Sequence, residues 1–220
     1  FIDIDNDGDY DLSWGDYFQQ SLYIIINEGN ANVPYMDNVN FLNQYPIEDP
    51  IITAGQNMPT FADIDNDGDI DLFVTVLSGA FGYQLINNFY FYERENESYE
   101  LITSNLIPTL DLTSDVYPDL VDIDNDGDLD FFTGNMIGTV TFYENLGWDS
   151  DRPYYGLITN FWEEIYIVCP SFNRHGASAI NFIDIDSDLD YDLAWGDFFQ
   201  QSIYIVVNNG TVSSPNMDNI

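Results

Sequence analysis

The string Asp-Ile-Asp-Asn-Asp-Gly-Asp-Xaa-Asp stands at residues 3–11, 63–71 and 122–130, and a close variant, DIDSDLDYD, at 184–192. Five carboxylates in nine residues repel one another unless a multivalent cation lies among them. Hard cations such as Ca²⁺ take about six to eight oxygen ligands at about 2.3–2.6 Å. A loop with acids at positions one, three, five and nine, and a turn-forming glycine at six, can wrap such an ion. A solvated acidic turn without an ion is the competing reading, and four near-identical copies weigh against it.

By position, the side-chain ligands are Asp3, Asp5, Asp7 and Asp11; Asp63, Asp65, Asp67 and Asp71; Asp122, Asp124, Asp126 and Asp130; and Asp184, Asp186, Asp188 and Asp192. The seventh residue of each loop (Asp9, Asp69, Asp128, Asp190) offers its backbone carbonyl, and its side chain is expected to face water. An EF-hand needs an acid, usually Glu, at position twelve. That position holds Trp14, Val74, Thr133 and Trp195, so the EF-hand pattern fails in every copy. Apolar residues follow the ninth-position acid instead: Leu12, Leu72 with Phe73, Phe131 with Phe132, and Leu193. The loop is therefore predicted to join two β-strands.

Loop starts are 60, 59 and 62 residues apart, close to the length of a large propeller blade. An apolar approach (Phe61-Ala62, Leu120-Val121, Phe182-Ile183) enters each later loop, and a strand leaves it. A further strand ends in Asn with Gly nearby: SLYIIINEG at 21–29, TVTFYENLG at 139–147, SIYIVVNNG at 202–210. A fourth apolar stretch completes the unit, as at 99–107 and 154–162. Short strands rich in Tyr, Phe, Ile and Val, separated by turn residues, predict four strands per unit.

Residues 122–147, DIDNDGDLDFFTGNMIGTVTFYENLG, resemble the FG-GAP/VCBS repeat, the calcium-loop blade also found in integrin α-subunit propellers. The likeness extends over essentially the whole chain. It implies an all-β, β-propeller-type array of four-stranded antiparallel blades of about 60 residues each, with Ca²⁺ in the loop joining the first two strands. It also implies an extracellular or cell-surface setting. Two departures stand out. Leu189 replaces the glycine of the fourth loop, where glycine tolerates unusual backbone angles, so that site is expected to be strained or weaker. The second unit carries about seven extra residues near 78–88, ahead of its expected Asn-bearing strand end.

These features divide the chain into a partial unit at 1–57, whole units at 58–116 and 117–178, and a partial unit at 179–220. Residues 1–39 align without gaps to 182–220, and 25 of the 39 positions are identical. WGD-[YF]-FQQS-[LI]-YI is shared by these outer units and by neither middle one. The higher-order period is thus three units long. A closed ring gives no reason for that period unless it has six blades, whereas a continuing fibre does. The sequence also opens at a loop without Met and stops within a unit, which reads as a piece of a longer tandem array.

The net charge is −36, with 39 acidic residues, no Lys, and only Arg94, Arg152 and Arg174. Twenty of the acids lie in the four loops, so four Ca²⁺ ions would leave −28. Nucleic-acid binding needs a cationic footprint, and anionic membranes repel such a chain. An apolar content of 45% sets the chain apart from disordered acidic sequences. No apolar run approaches the roughly 18–20 residues of a membrane span.

Cys169 has no disulfide partner in the chain and reads as a small buried apolar residue. His175, the only histidine, lies in an Asn-Arg-His-Gly turn and reads as an exposed loop residue. No nucleophile–base arrangement is framed by a recognisable turn. A polysaccharide lyase on such a scaffold needs basic groups that three arginines scarcely supply. Trp14 and Trp195 hold matching positions and read as core, and Trp148, beside Asp149 and Asp151, as the exposed ring suited to a sugar. Asn96 and Asn209 fit the N-glycosylation pattern.

The expectation is a secreted, calcium-stabilised structural or adhesive array without catalytic activity, continuing into a filament or stalk by self-association or by chain continuation. A propeller module that binds a glycan or a cell-surface protein is the alternative, and a polysaccharide-active enzyme the third reading.

Overall fold

Each nine-residue acidic loop closes a hairpin with one fixed register. The residue before the first Asp pairs with the ninth: Ala62 with Asp71, Val121 with Asp130, Ile183 with Asp192, and Ile2 with Asp11 as a lone bridge. The computed structural model describes residues 1–16, 20–47, 49–53, 56–76, 88–96, 98–108, 117–135, 138–167, 179–197 and 202–217. Most of the insertion near 78–88, and Cys169, Arg174 and His175, lie outside the described residues.

The chain is all-β, with two compact units, Phe1–Asn105 and Leu106–Ile220. In the first, β1 (Leu12–Trp14), β2 (Tyr23–Asn27) and β3 (Met36–Leu42) form one antiparallel sheet. The other sheet of that unit is β4 (Asn57–Ala62), β5 (Asp71–Val76), β6 (Phe89–Glu95) and β7 (Ser98–Thr103), in sequence order. In the second unit, β8 (Tyr117–Val121), β9 (Asp130–Gly134), β10 (Val140–Asp149) and β11 (Arg152–Thr159) form a four-stranded sheet. Three strands, β12 (Ala179–Ile183), β13 (Asp192–Asp197) and β14 (Ser202–Val206), form the last. Among the described residues the outer units therefore hold three-stranded sheets and the inner ones the expected four.

Strand β5 and strand β9 are buried along their whole lengths, which is why Leu72-Phe73-Val74 and Phe131-Phe132 are consecutive apolar residues rather than an alternation. Every sheet also holds a stacked cross-strand aromatic pair beside its loop: Trp14 on Tyr23 at 5.3 Å, Phe73 on Phe91 at 4.9 Å, Phe132 on Phe142 at 4.6 Å and Trp195 on Tyr204 at 5.5 Å. Each pair is in direct register, where such contacts add about 0.5–1.5 kcal/mol beyond area burial. These pairs fix the strand leaving the loop against its neighbour, and so hold the end of each loop.

The core of the second unit is centred on Phe132, whose ring meets Trp162 at 5.0 Å and Phe182 at 4.6 Å, with Ile165, Ile180 and Leu193 in the same cluster. Here β8 and β12, the strands that lead into the two loops, run beside each other. Asp119 on β8 accepts the backbone N–H of Phe182 on β12 at 2.7 Å, and the Asn181 amide at 3.4 Å. Burial pushes the Asp119 carboxyl up to about 7, against these hydrogen bonds. In the first unit, Leu22, Leu72, Val74 and Val76 form one cluster, and Ile2, Ile4 and Ile24 another under the first loop.

Candidate metal centres

The four loops share a single hydrogen-bonded scaffold. The first Asp accepts two backbone N–H groups with its two oxygens. Asp3 takes those of Asp7 and Gly8 at 3.1 and 3.0 Å, Asp63 those of Asp67 and Gly68 at 3.1 and 3.2 Å. Asp122 takes those of Asp126 and Gly127 at 3.0 and 3.1 Å, and Asp184 those of Asp188 and Leu189 at 3.2 and 3.1 Å, with a third from Ser187 at 2.7 Å. The fifth-position carboxylate accepts the seventh-position N–H at 2.8–3.1 Å in all four.

This tight path needs two left-handed residues. The fourth position has φ of 59–61° as Asn6, Asn66 and Asn125, and 67° as Ser187. The sixth has φ of 95–98° as Gly8, Gly68 and Gly127. Leu189 is held at 79°, a region that non-glycine residues occupy at a cost. The expected strain of the fourth loop is thus present in its backbone.

The ninth-position carboxylate ties the loop into the sheet. Asp11 accepts Ile4 N–H at 2.8 Å and Asn27 N–H at 2.7 Å; Asp192 accepts Ile185 N–H at 2.9 Å and Asn208 N–H at 2.8 Å. Asp71 accepts Ile64 and Arg94 at 3.2 and 2.9 Å, and Asp130 accepts Asn145 at 2.9 Å. The strand-end Asn then reaches back with its own side chain. Asn27 and Asn145 donate to the eighth-position carbonyls of Tyr10 and Leu129, and accept from Gly29 and Gly147.

This buried role of Asn27, Asn145 and Asn208 was legible only as a turn signal, although each stands 15 or 16 residues beyond the ninth loop position. In the second unit the residue at this place is Arg94, not the expected Asn. It is 6% exposed, its guanidinium lies 5.8 Å from the Tyr99 ring, and its Nε has no hydrogen-bond partner. The Tyr99 hydroxyl takes over the bond to the eighth-position carbonyl, here Ile70, at 3.0 Å.

Carboxylate oxygens come within 4.8 Å of one another for Asp3, Asp5 and Asp11; for Asp63, Asp65 and Asp67; for Asp122, Asp124 and Asp126; and for Asp184, Asp186 and Asp192. Asp7 and Asp188, and Asp71 and Asp130, stand outside these groups, as do all seventh-position side chains. Those last side chains also correct an expectation. Asp9 and Asp190 are each only 5% exposed, and Asp69 and Asp128 are half-buried rather than turned to water.

Burial, reinforced by neighbouring carboxylates, pushes Asp71 and Asp128 up to about 6 and Asp130 up to about 7. Asp190 is likewise pushed up to about 6. Carboxyls so destabilised in their charged form are what a cation would relieve. The donor set is all hard oxygen, which suits Ca²⁺ or Mg²⁺ and disfavours thiolate- or imidazole-seeking metals.

The decisive comparison covers the first two loops. Residues 3–74 match the FG-GAP-like repeat. The matched stretch runs from the first acidic loop into β5, so this FG-GAP-like segment contains two of the four loops with the linking strands. The other two loops repeat the hydrogen bonds of its first and fifth positions. No curated protein matches the chain. Among the described residues no helix is long and apolar enough to cross a membrane.

Proposed function

We propose that the chain is a calcium-stabilised, β-propeller-type repeat array of an extracellular protein, structural or adhesive in role and without catalytic activity. The observation that carries this reading is the fourfold recurrence of one acidic scaffold, each copy bringing three carboxylates within 4.8 Å. The side chains at positions one, three, five and nine and the seventh-position carbonyl would hold Ca²⁺. The ion would offset the carboxylate repulsion and tie the first two strands of each blade. A site held at 100 times its Kd adds about 2.7 kcal/mol to stability, so several sites together would decide whether this chain stays folded. The three-unit period supports continuation as a filament or stalk, through self-association or a continuing chain.

Thermal unfolding with excess Ca²⁺ and with chelator tests the metal reading. A sharp fall in Tm on chelation is expected, and an unchanged Tm would reduce the loops to acidic turns. Electron microscopy of native material tests the assembly: uniform fibres are expected, and isolated discs would count against an array.

A second reading, a propeller module that binds a glycan or a cell-surface protein, draws on Trp148. Its ring is 47% exposed, while Trp162 and Trp195 are buried and Trp14 is covered by Tyr23. Saturable binding on a glycan array, lost in Trp148→Ala, would favour that reading. Turnover of a uronate polymer would favour an enzyme.

A further inference from the structure

The seventh-position aspartates have no role in the ligand set above, yet three of them carry a buried side-chain oxygen, Oδ1, with no hydrogen-bond partner: Asp9, Asp128 and Asp190. Leaving such an atom buried and unpaired is unfavourable, and more so for a charged group. A fold that repeats the arrangement in three loops has a use for it. The carboxylates face their own acidic clusters. Repulsion from Asp5, Asp7 and Asp11 acts on Asp9, and repulsion from Asp122, Asp124 and Asp126 acts on Asp128. In the first loop Asp9 also lines a cavity of about 680 Å³ together with Asp3, Asn6 and Asn27, which leaves room for water beside the cluster. The second loop differs. Asp69 is half-buried and has no such buried oxygen, and its unit has Arg94 in place of the strand-end Asn.

Resting on the calcium reading above, we infer that Asp9, Asp128 and Asp190 are outer-shell residues of their loops, each accepting a hydrogen bond from cation-bound water through its free Oδ1, and that the second loop lacks this contact. Of the three loops that keep the sixth-position glycine, one and three are then the tighter sites. Loop two is the weaker, with the buried Arg94 cation adding to the difference. Outer-shell partners of this kind change metal affinity by about 10–100-fold.

Selective ¹⁵N-glycine labelling provides a reporter in each of three loops, because the Gly8, Gly68 and Gly127 amides each donate to the first Asp of their own loop. Titration of the full chain with CaCl₂ should shift Gly8 and Gly127 at lower concentration than Gly68. Asp9→Asn and Asp128→Asn should each raise the midpoint of their own loop about 10–100-fold. Asp69→Asn, which removes the same charge, should move Gly68 only a few-fold. Equal effects in all three variants, or none in Asp9→Asn and Asp128→Asn, would overturn the inference while leaving calcium binding intact. Glycine signals that ignore Ca²⁺ in the unsubstituted protein would instead remove the calcium reading itself.

Discussion

The Asp11 carboxylate accepts the backbone N–H of Asn27 at 2.7 Å while its other oxygen holds the N–H of Ile4 at 2.8 Å. One side chain thus joins the loop, the strand that leaves it and the end of the next strand, and it is 1% exposed. This makes the ninth loop position a scaffold residue as well as a candidate ligand. Asp11→Ala strands two amide donors in the interior, at about 1–3 kcal/mol each. The expected destabilisation is about 2–5 kcal/mol, measured by denaturant unfolding, and it should persist in chelator. A residue serving only as a ligand would lose its effect once the metal is removed.

The sign of the pH dependence should invert with calcium. Without metal, Asp71, Asp128 and Asp190 titrate near 6 and Asp130 near 7 in the folded chain, against about 3.9 unfolded. Between those values the folded state binds more protons than the unfolded, so stability falls as pH rises. Metal-free protein should therefore show a higher Tm at pH 5 than at pH 8. With excess Ca²⁺ the ligands must stay ionised, their folded values drop below the unfolded ones, and Tm should fall on acidification. Parallel melting series in chelator and in CaCl₂ check this. Two curves of the same slope would mean that the raised carboxyls do not meet a cation.

The fourth loop offers a direct measure of backbone strain. Leu189 is held at φ 79° and is 79% exposed, so its side chain contributes little burial that glycine would forfeit. Left-handed backbone costs a non-glycine residue about 1–2 kcal/mol, partly offset by the greater freedom of glycine in the unfolded chain. Leu189→Gly should stabilise by about 0.5–1 kcal/mol. Gly127→Ala should destabilise by about 1–2 kcal/mol, since an added Cβ there meets nothing within 4 Å and only φ is at issue. Paired denaturant midpoints decide both.

The loops, the strands on either side of them and the exposed Trp148 were legible because each leaves a local mark: a fixed acid–glycine spacing, an apolar run, a turn beside acids. The double duty of Asp11 was not, because acceptance from Asn27 spans 16 residues and depends on the register of β1 with β2. Arg94 leaves no local mark for the same reason, since the insertion before β6 shifts its separation from Asp71 to 23 residues. The side chain of Asp9 was expected in water because a string of acids shows charge but not which member the next strand covers. Asp119 carried no signal at all. It belongs to no loop, and Thr60 and Asn181 stand at the matching places three residues ahead of the neighbouring loops.

Asp119 nevertheless joins the two entry strands of the second unit, and its chemistry gives a clean prediction. Its carboxylate satisfies the Phe182 N–H at 2.7 Å and the Leu120 N–H at 3.1 Å, yet burial still pushes its titration up to about 7. The charge is therefore a burden that the hydrogen bonds only partly relieve. Asp119→Asn keeps an acceptor for Phe182 and removes the charge. One pKa unit corresponds to about 1.4 kcal/mol, and solvent screening trims the total, so a gain of about 1–3 kcal/mol is expected at pH 8. At pH 5 Asp119 is already protonated and the variant should match the parent. Asp119→Ala, which strands the Phe182 amide, should destabilise at both values. Denaturant unfolding at pH 5 and pH 8, in chelator and in calcium, separates these outcomes. Because Asp119 lies outside the loops, the gain of Asp119→Asn should be the same with and without metal, and a calcium-dependent gain would place this residue in the coordination of a neighbouring loop instead.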